Sequence, residues 1–126
     1  MQTRNLGRNR VKATPPPELA AAAARQRMLR LVGLGVRSRG VVVGTQRVRD
    51  AVRRDAAVLV IVATDASSNS VEKVMPLVRA RRVSFIEVPS AAELGAAVGR
   101  DQAAVVGILD RQLARGIFDV VKSSSA

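Results

Sequence analysis

The sequence predicts a three-layer α/β/α sandwich in which helices cover both faces of a four-stranded mixed sheet. Three observations lead there. Short valine-rich runs alternate along the chain with stretches rich in alanine, leucine and arginine, as βα units do. One run, Val58-Leu59-Val60-Ile61-Val62-Ala63, is apolar at every position, the pattern of a strand covered on both faces. With 126 residues, of which 48% are apolar, the chain can bury one sizeable core but is too short for two ordinary domains.

The elements follow in order. Residues 1–17 are polar, carry Arg4, Arg8, Arg10 and Lys12, and end in Pro15-Pro16-Pro17, so a flexible basic tail is expected before a single domain over residues 18–126. From Glu18 to about Arg37, Met28, Leu31, Val32 and Val36 recur near helical spacing, and Pro17 suits a first turn. Gly40 stops that helix, and Val41-Val42-Val43 is a small β-branched strand. Gly44 and Thr45 open a second helix through Arg54, with Val48, Ala51 and Val52 as its buried stripe.

The Val58 to Ala63 strand should be central. Thr64 to Ser70 reads as a polar loop in which Asn69 or Ser70 caps a third helix, Val71 to Arg82, with a kink or a tight early turn at Pro76. Val83 to Val88 is a strand ended by Pro89. Ser90 and Glu93 have the spacing of a capping box for a short helix to Val98. Ala103 to Leu109 is a further buried strand, and Asp110 caps a last helix to about Val121.

Composition narrows the chemistry. The chain has neither cysteine nor histidine, which removes disulfides, thiolate and histidine-based nucleophilic sites, and most transition-metal sites. Asp65, Glu87 and Glu93 are the carboxylates near predicted strand ends, and nothing pairs them as an acid and a base. No enzyme activity, cofactor or metal is expected. No apolar run approaches the roughly 18 residues of a membrane span, and the first residues lack the apolar core of a secretory signal, so a cytoplasmic location without membrane contact is expected.

The formal charge of +11 makes polyanions the natural partners. The charge is unevenly placed: residues 25–54 hold nine arginines against the single acid Asp50, whereas from residue 55 onward eight basic residues meet eight acids. A basic first half suggests a binding face. Gly44-Thr45 joins a strand to a helix, leaving backbone N–H groups and the positive end of the helix dipole open to phosphate. Arg47, Arg49 and Arg53 extend that surface, because guanidinium forks onto phosphate or a guanine edge. The glycines do not form a nucleotide-binding loop: no Gly-Lys-Ser/Thr follows Gly44, and Gly33 and Gly35 fall inside a helix.

The string Val88-Pro89-Ser90, then Leu94-Gly95, then Val98-Gly99, resembles the loop and short helix of the kink-turn RNA-binding ribosomal proteins of the L7Ae and L30e superfamily. The order of the other pieces is similar too. A first helix ends in the basic turn Arg37-Ser38-Arg39-Gly40, a Val-Val-Gly strand leads into the Gly44 helix, and a buried strand ends at Ala63-Thr64-Asp65-Ala66. The resemblance covers about residues 25 to 121, and within the superfamily it is strongest to the short bacterial YlxQ-like members.

The resemblance implies the fold already read from the pattern, and RNA as the ligand. The family's Gly-x-Asn-Glu-x-x-Lys motif falls on Gly44, Gln46, Arg47 and Asp50, with only the glycine retained. Gln46 still offers an amide, Arg47 supplies donors in place of an acceptor, and Asp50 puts a negative charge where the family has lysine. The implied RNA-facing residues are Arg37, Arg39, Gly44, Thr45, Gln46, Arg47, Arg49, Arg53, Asp65, Val88, Pro89 and Ser90. Val88 to Ser90 would pack against a flipped-out base, and Asp65 would bond neighbouring backbone amides.

The expectation is therefore a non-catalytic, monomeric protein that binds structured RNA. The RNA would be ribosomal or contain a kink-turn-like element, with association with the ribosome. The alternative is a protein-interaction module of the same fold whose arginines meet an acidic partner; competition between folded and single-stranded RNA separates the two.

Overall fold

The structure, a computed structural model, describes residues 17–125. Its elements are α1 (Pro17–Arg37), β1 (Val41–Val43), α2 (Thr45–Arg53), β2 (Leu59–Ala63), α3 (Ser68–Glu72), α4 (Met75–Ala80), β3 (Ser84–Val88), α5 (Ala91–Ala97), β4 (Val105–Ile108) and α6 (Arg111–Ser125). The tail expected over residues 1–17 lies outside the described residues except for Pro17, which is the first residue of α1.

The four strands form one mixed sheet in the order β1-β4-β2-β3. β4 runs antiparallel to both of its neighbours, and β2 pairs with β3 in parallel. Every residue of β2 is buried, because helices cover both faces of the sheet there. Leu59, Ile61 and Ala63 pack with Met28, Val32, Leu94 and Ile117 from α1, α5 and α6. The intervening Val60 and Val62 pack with Val48, Val52, Val74 and Val78 around α2 and α4. The strand's period of two thus separates one continuous run into two aliphatic cores, one on each side of the sheet. Each fully buried valine or leucine contributes about 1.5–3 kcal/mol. Among the described residues no polar or charged side chain is buried.

The structure corrects the third helix. Instead of one helix over Val71 to Arg82 capped at Asn69 or Ser70, the chain makes two short ones, the first capped at Ser67, whose Oγ accepts from Ser70 N–H at 3.3 Å, and the second opening on the early turn expected at Pro76. Pro76 is the cause: it has no N–H to continue the first helix, but its fixed φ suits the opening turn of the second. Elsewhere the expected boundaries move by a residue or two, except that the last helix runs past Val121 to Ser125. Asp110 caps the last helix as read, its Oδ1 accepting from the N–H groups of Gln112 at 2.8 Å and Leu113 at 3.2 Å.

Candidate nucleic-acid interface

Because β4 opposes the other three strands, the C-terminal ends of β1, β2 and β3 and the start of β4 meet at one edge of the sheet. Three turns leave that edge: Gly44-Thr45, Thr64-Asp65-Ala66 and Pro89-Ser90. Backbone bonds stitch them to the sheet and to one another. Gly44 N–H donates to Val105 O at 3.1 Å, Ala63 N–H to Ala104 O at 2.9 Å, and Thr64 N–H to Val88 O at 2.8 Å.

Gly44 turns the chain from β1 into α2 with φ 102° and ψ 154°. The left-handed φ, not lack of space, calls for glycine, since a Cβ there would meet nothing within 4 Å. No side chain caps α2, and Val48 N–H bonds Gly44 O at 3.0 Å. The first turn of α2 therefore presents uncapped N–H groups and the positive end of a helix dipole at the rim, where an anion is favoured. Thr45 is half-buried beside it, and Gln46 and Arg47 are exposed on the same turn.

Gln46 does not hang free. Its Nε2 donates to Asp50 Oδ1 at 3.2 Å, one helical turn on. Asp50 also lies 3.8 Å from Arg53 Nη1, and its backbone carbonyl accepts from Arg54 Nε at 3.3 Å. A carboxylate only accepts, so it engages the amide nitrogen and leaves Gln46 Oε1 available as an acceptor. Asp50 thus does more than place a negative charge in the lysine position: the charge is shared with Arg53 and fixes the amide of the glutamine beside the rim.

The other two turns are fastened together. Asp65 Oδ1 accepts from Ala91 N–H at 2.7 Å, which ties the turn after β2 to the start of α5. Ser90 caps α5 as read, its Oγ accepting from Glu93 N–H at 3.0 Å. The capping box is only half formed, because the Glu93 carboxylate turns away to accept from Arg25 Nε of α1 at 2.9 Å. Pro89 is exposed between these two anchors.

The edge therefore gathers Gly44, Thr45, Gln46, Arg47, Asp65, Pro89 and Ser90. It does not gather the rest. Val88 is only 3% exposed, its side chain in phase with Ile86 on the core side of β3, so it supports the loop from beneath and offers no surface to a base. Arg37 and Arg39 lie at the other end of β1, where Gly40 O accepts from Leu109 N–H at 2.8 Å. Arg49 and Arg53 line a groove of about 430 Å³ with Glu72, Lys73, Pro76 and Leu77, along the flank of α2 that faces α4. Arg49 is half-buried there, with its Nε enclosed and unpartnered.

Of the contacts that order the rim, the Gln46–Asp50 pair was readable as an i,i+4 spacing on a helix. The Arg25–Glu93 pair, 68 residues apart, had no local signal. Among the described residues, no three His, Cys, Asp or Glu side chains gather as a metal site requires, and no helix is long and apolar enough to cross a membrane.

The mixed sheet, with helices on both faces and three turns stitched along one edge, defines an α/β/α sandwich protein. The chain belongs to the ribosomal protein L7Ae/L30e/S12e/Gadd45 family, whose model matches residues 26–122. Its relatives include the RNA-binding protein YlxQ of Bacillus subtilis (strain 168), 34% identical over 91 residues that span 72% of this chain and 91% of that protein. The RNA-binding protein YlxQ of Enterococcus faecium is 30% identical over 98 residues, 78% of this chain and 94% of that one. Among solved structures, a protein of unknown function from Bacillus halodurans superposes with a TM-score of 0.70 at 26% identity, covering 76% of this chain and 97% of its own. The Giardia lamblia 15.5kD RNA binding protein shares the fold, with a TM-score of 0.63 at 23% identity and coverage of 90% and 91%.

Proposed function

We propose that this protein is a non-catalytic, cytoplasmic, monomeric binder of structured RNA, ribosomal RNA or an RNA carrying a kink-turn-like element, with the stitched edge as its recognition surface. The observation that supports this most is the juxtaposition of an uncapped helix start at Gly44 with the exposed Pro89-Ser90 turn on one edge of the sheet. The first supplies N–H groups and Arg47 for phosphate. The second supplies a flat apolar ring against which an unstacked base can pack, as RNA loops and bulges allow. Gln46 Oε1, left available by Asp50, takes over the acceptor role that Arg47 cannot fill.

The relatives named as RNA-binding proteins support the same reading. The residues also bear on the type of RNA. Arg47 stands where the family has a carboxylate, so a standard kink-turn is expected to bind no more than about tenfold tighter than a duplex of equal length, roughly 1.4 kcal/mol. Titration of both RNAs by fluorescence anisotropy over a range of salt tests the proposal. Affinity should fall with salt at a slope of about 0.9 per phosphate contact, for about four to six contacts. Affinity that ignores salt removes the proposal, and a hundredfold preference for the kink-turn would show that Gln46 and Arg47 read the bases more sharply than their donors and acceptors imply.

A further inference from the structure

A second surface lies on the side of the molecule, away from most of the rim. α1 and α5 line an open groove of about 760 Å³, with Leu29, Gly33, Ala96, Ala97 and Val98 among its residues. Gly33 makes the floor low: a Cβ there would stand 2.9 Å from the Ala97 carbonyl oxygen, so only glycine lets the two helices approach this closely. Leu34 stands on the lip at 57% exposure, the most exposed large apolar side chain among the described residues. It contributes little to folding in that position, and it extends the apolar surface of the groove it lines.

The rim of the groove carries Arg30 and Arg37, both exposed and neither in an ion pair among the described residues. Its one acid, Glu93, is already held by Arg25 at 2.9 Å. We infer that this groove docks an acidic amphipathic helix from a partner protein, with apolar side chains over Gly33 and Ala97 and carboxylates against Arg30 and Arg37.

Charge and shape select that occupant. From Gln26 to Arg37 the groove follows α1 for about 16 Å, or three helical turns. A second copy paired face to face would set Arg30 and Arg37 against their own equivalents, which repel. The chain's own segment before α1 carries Arg4, Arg8, Arg10 and Lys12, and is repelled in the same way. RNA fits less well than an acidic helix, because the floor offers no flat ring of any kind, neither aromatic nor the proline of the other edge, and Leu34 would sit against phosphate. Helix-in-groove recognition sets a ligand helix's apolar anchors at i, i+3 or i+4, and i+7 into an apolar groove flanked by complementary charge, and the apolar floor and the arginine rim here match the receiving side of that arrangement.

The test uses the full chain and two synthetic peptides of about 15 residues with the same glutamate and leucine content. One places its leucines on a single helical face, and the other is scrambled. Amide NMR spectra should shift at Gly33, Leu34, Ala96 and Ala97 with the ordered peptide. Scrambling the peptide, or the change Leu34→Ser at this exposed site, should each weaken binding by at least about tenfold, as loss of a central apolar anchor does. RNA affinity of the Leu34→Ser variant should be unchanged. The proposal is overturned if neither peptide binds, if both bind alike, or if the shifts centre on Gly44 to Arg47. It is overturned equally if a structured RNA shifts the groove amides and Leu34→Ser weakens RNA binding, since the groove would then belong to the RNA surface.

Discussion

The carboxylate of Asp65 holds the backbone N–H of Ala91, 26 residues further along the chain, at 2.7 Å. This bond runs between two turns that leave neighbouring parallel strands, and with Thr64 N–H on Val88 O at 2.8 Å it makes them one unit. A hydrogen bond to a charged group contributes about 1.5–3 kcal/mol. Asp65→Ala should therefore lower the unfolding free energy by about 1–2 kcal/mol in urea denaturation, towards the low end because Asp65 is exposed. Amide exchange at Ala91 should quicken. Asp65→Asn retains an acceptor and should recover most of the protection; unchanged exchange at Ala91 in the alanine variant would show that the bond does not hold the loop.

Asp50 offers a test in which two explanations predict different changes in preference. If it acts only as a negative charge on a phosphate-facing helix, Asp50→Ala should tighten binding to every RNA. If it holds Gln46, the same change should tighten a plain duplex by about twofold, the scale of one exposed charge, while reducing preference for the structured target. Gln46→Ala should reduce that preference alone. Anisotropy titrations of both RNAs against both variants distinguish these outcomes, and a preference untouched by Asp50→Ala would remove the positioning role.

Arg47 and Arg49 are alike in sequence and unlike in place. Arg47→Glu should weaken RNA binding several-fold and alter stability by less than about 0.5 kcal/mol, as an exposed substitution does. Arg49 has its stem packed toward α4 and its Nε enclosed without a partner. Arg49→Glu puts a shorter, oppositely charged group into that space and should cost about 1–2 kcal/mol of stability. Paired binding and denaturation measurements settle which variant lost affinity and which lost fold. A fully stable Arg49→Glu variant would return Arg49 to the surface.

Leu94-Gly95 has a packing reason. A Cβ on Gly95 would come within 2.6–2.7 Å of the backbone Cα, C and N of Gln102. Backbone cannot yield as a side-chain tip does, so Gly95→Ala should destabilise by about 1–3 kcal/mol and lower the thermal midpoint. An unchanged midpoint would mean that the α5 to β4 connection relaxes freely.

Most of the fold was legible because its signals are local. The unbroken apolar run at Leu59 to Ala63, the Val48, Ala51 and Val52 stripe, and the caps at Ser90 and Asp110 are each set within a few residues. The failures share a different cause. The split at Pro76 turns on whether a missing N–H is tolerated, which the packing on either side decides. Val88 was read as surface because the Val-Pro-Ser string was read as a unit; the pleat turns its first residue inward and its second outward. Arg37 and Arg39 precede β1 and Gly44 follows it, so even a three-residue strand separates their ends by about 13 Å. Charge density along the sequence therefore overstated how many arginines meet at the edge.

The stitched edge also bears on which molecule would bend. On the proposed RNA reading, an edge at which the N–H groups of Gly44, Ala63, Thr64 and Ala91 are all hydrogen-bonded acts as a mould, and deformation falls on the RNA. Its elastic cost then depends on RNA sequence and prior shape, even at nucleotides that the protein never touches. An RNA already bent by its own folding enters the mould without that cost, so ions that promote its bending should strengthen binding even as they screen charge.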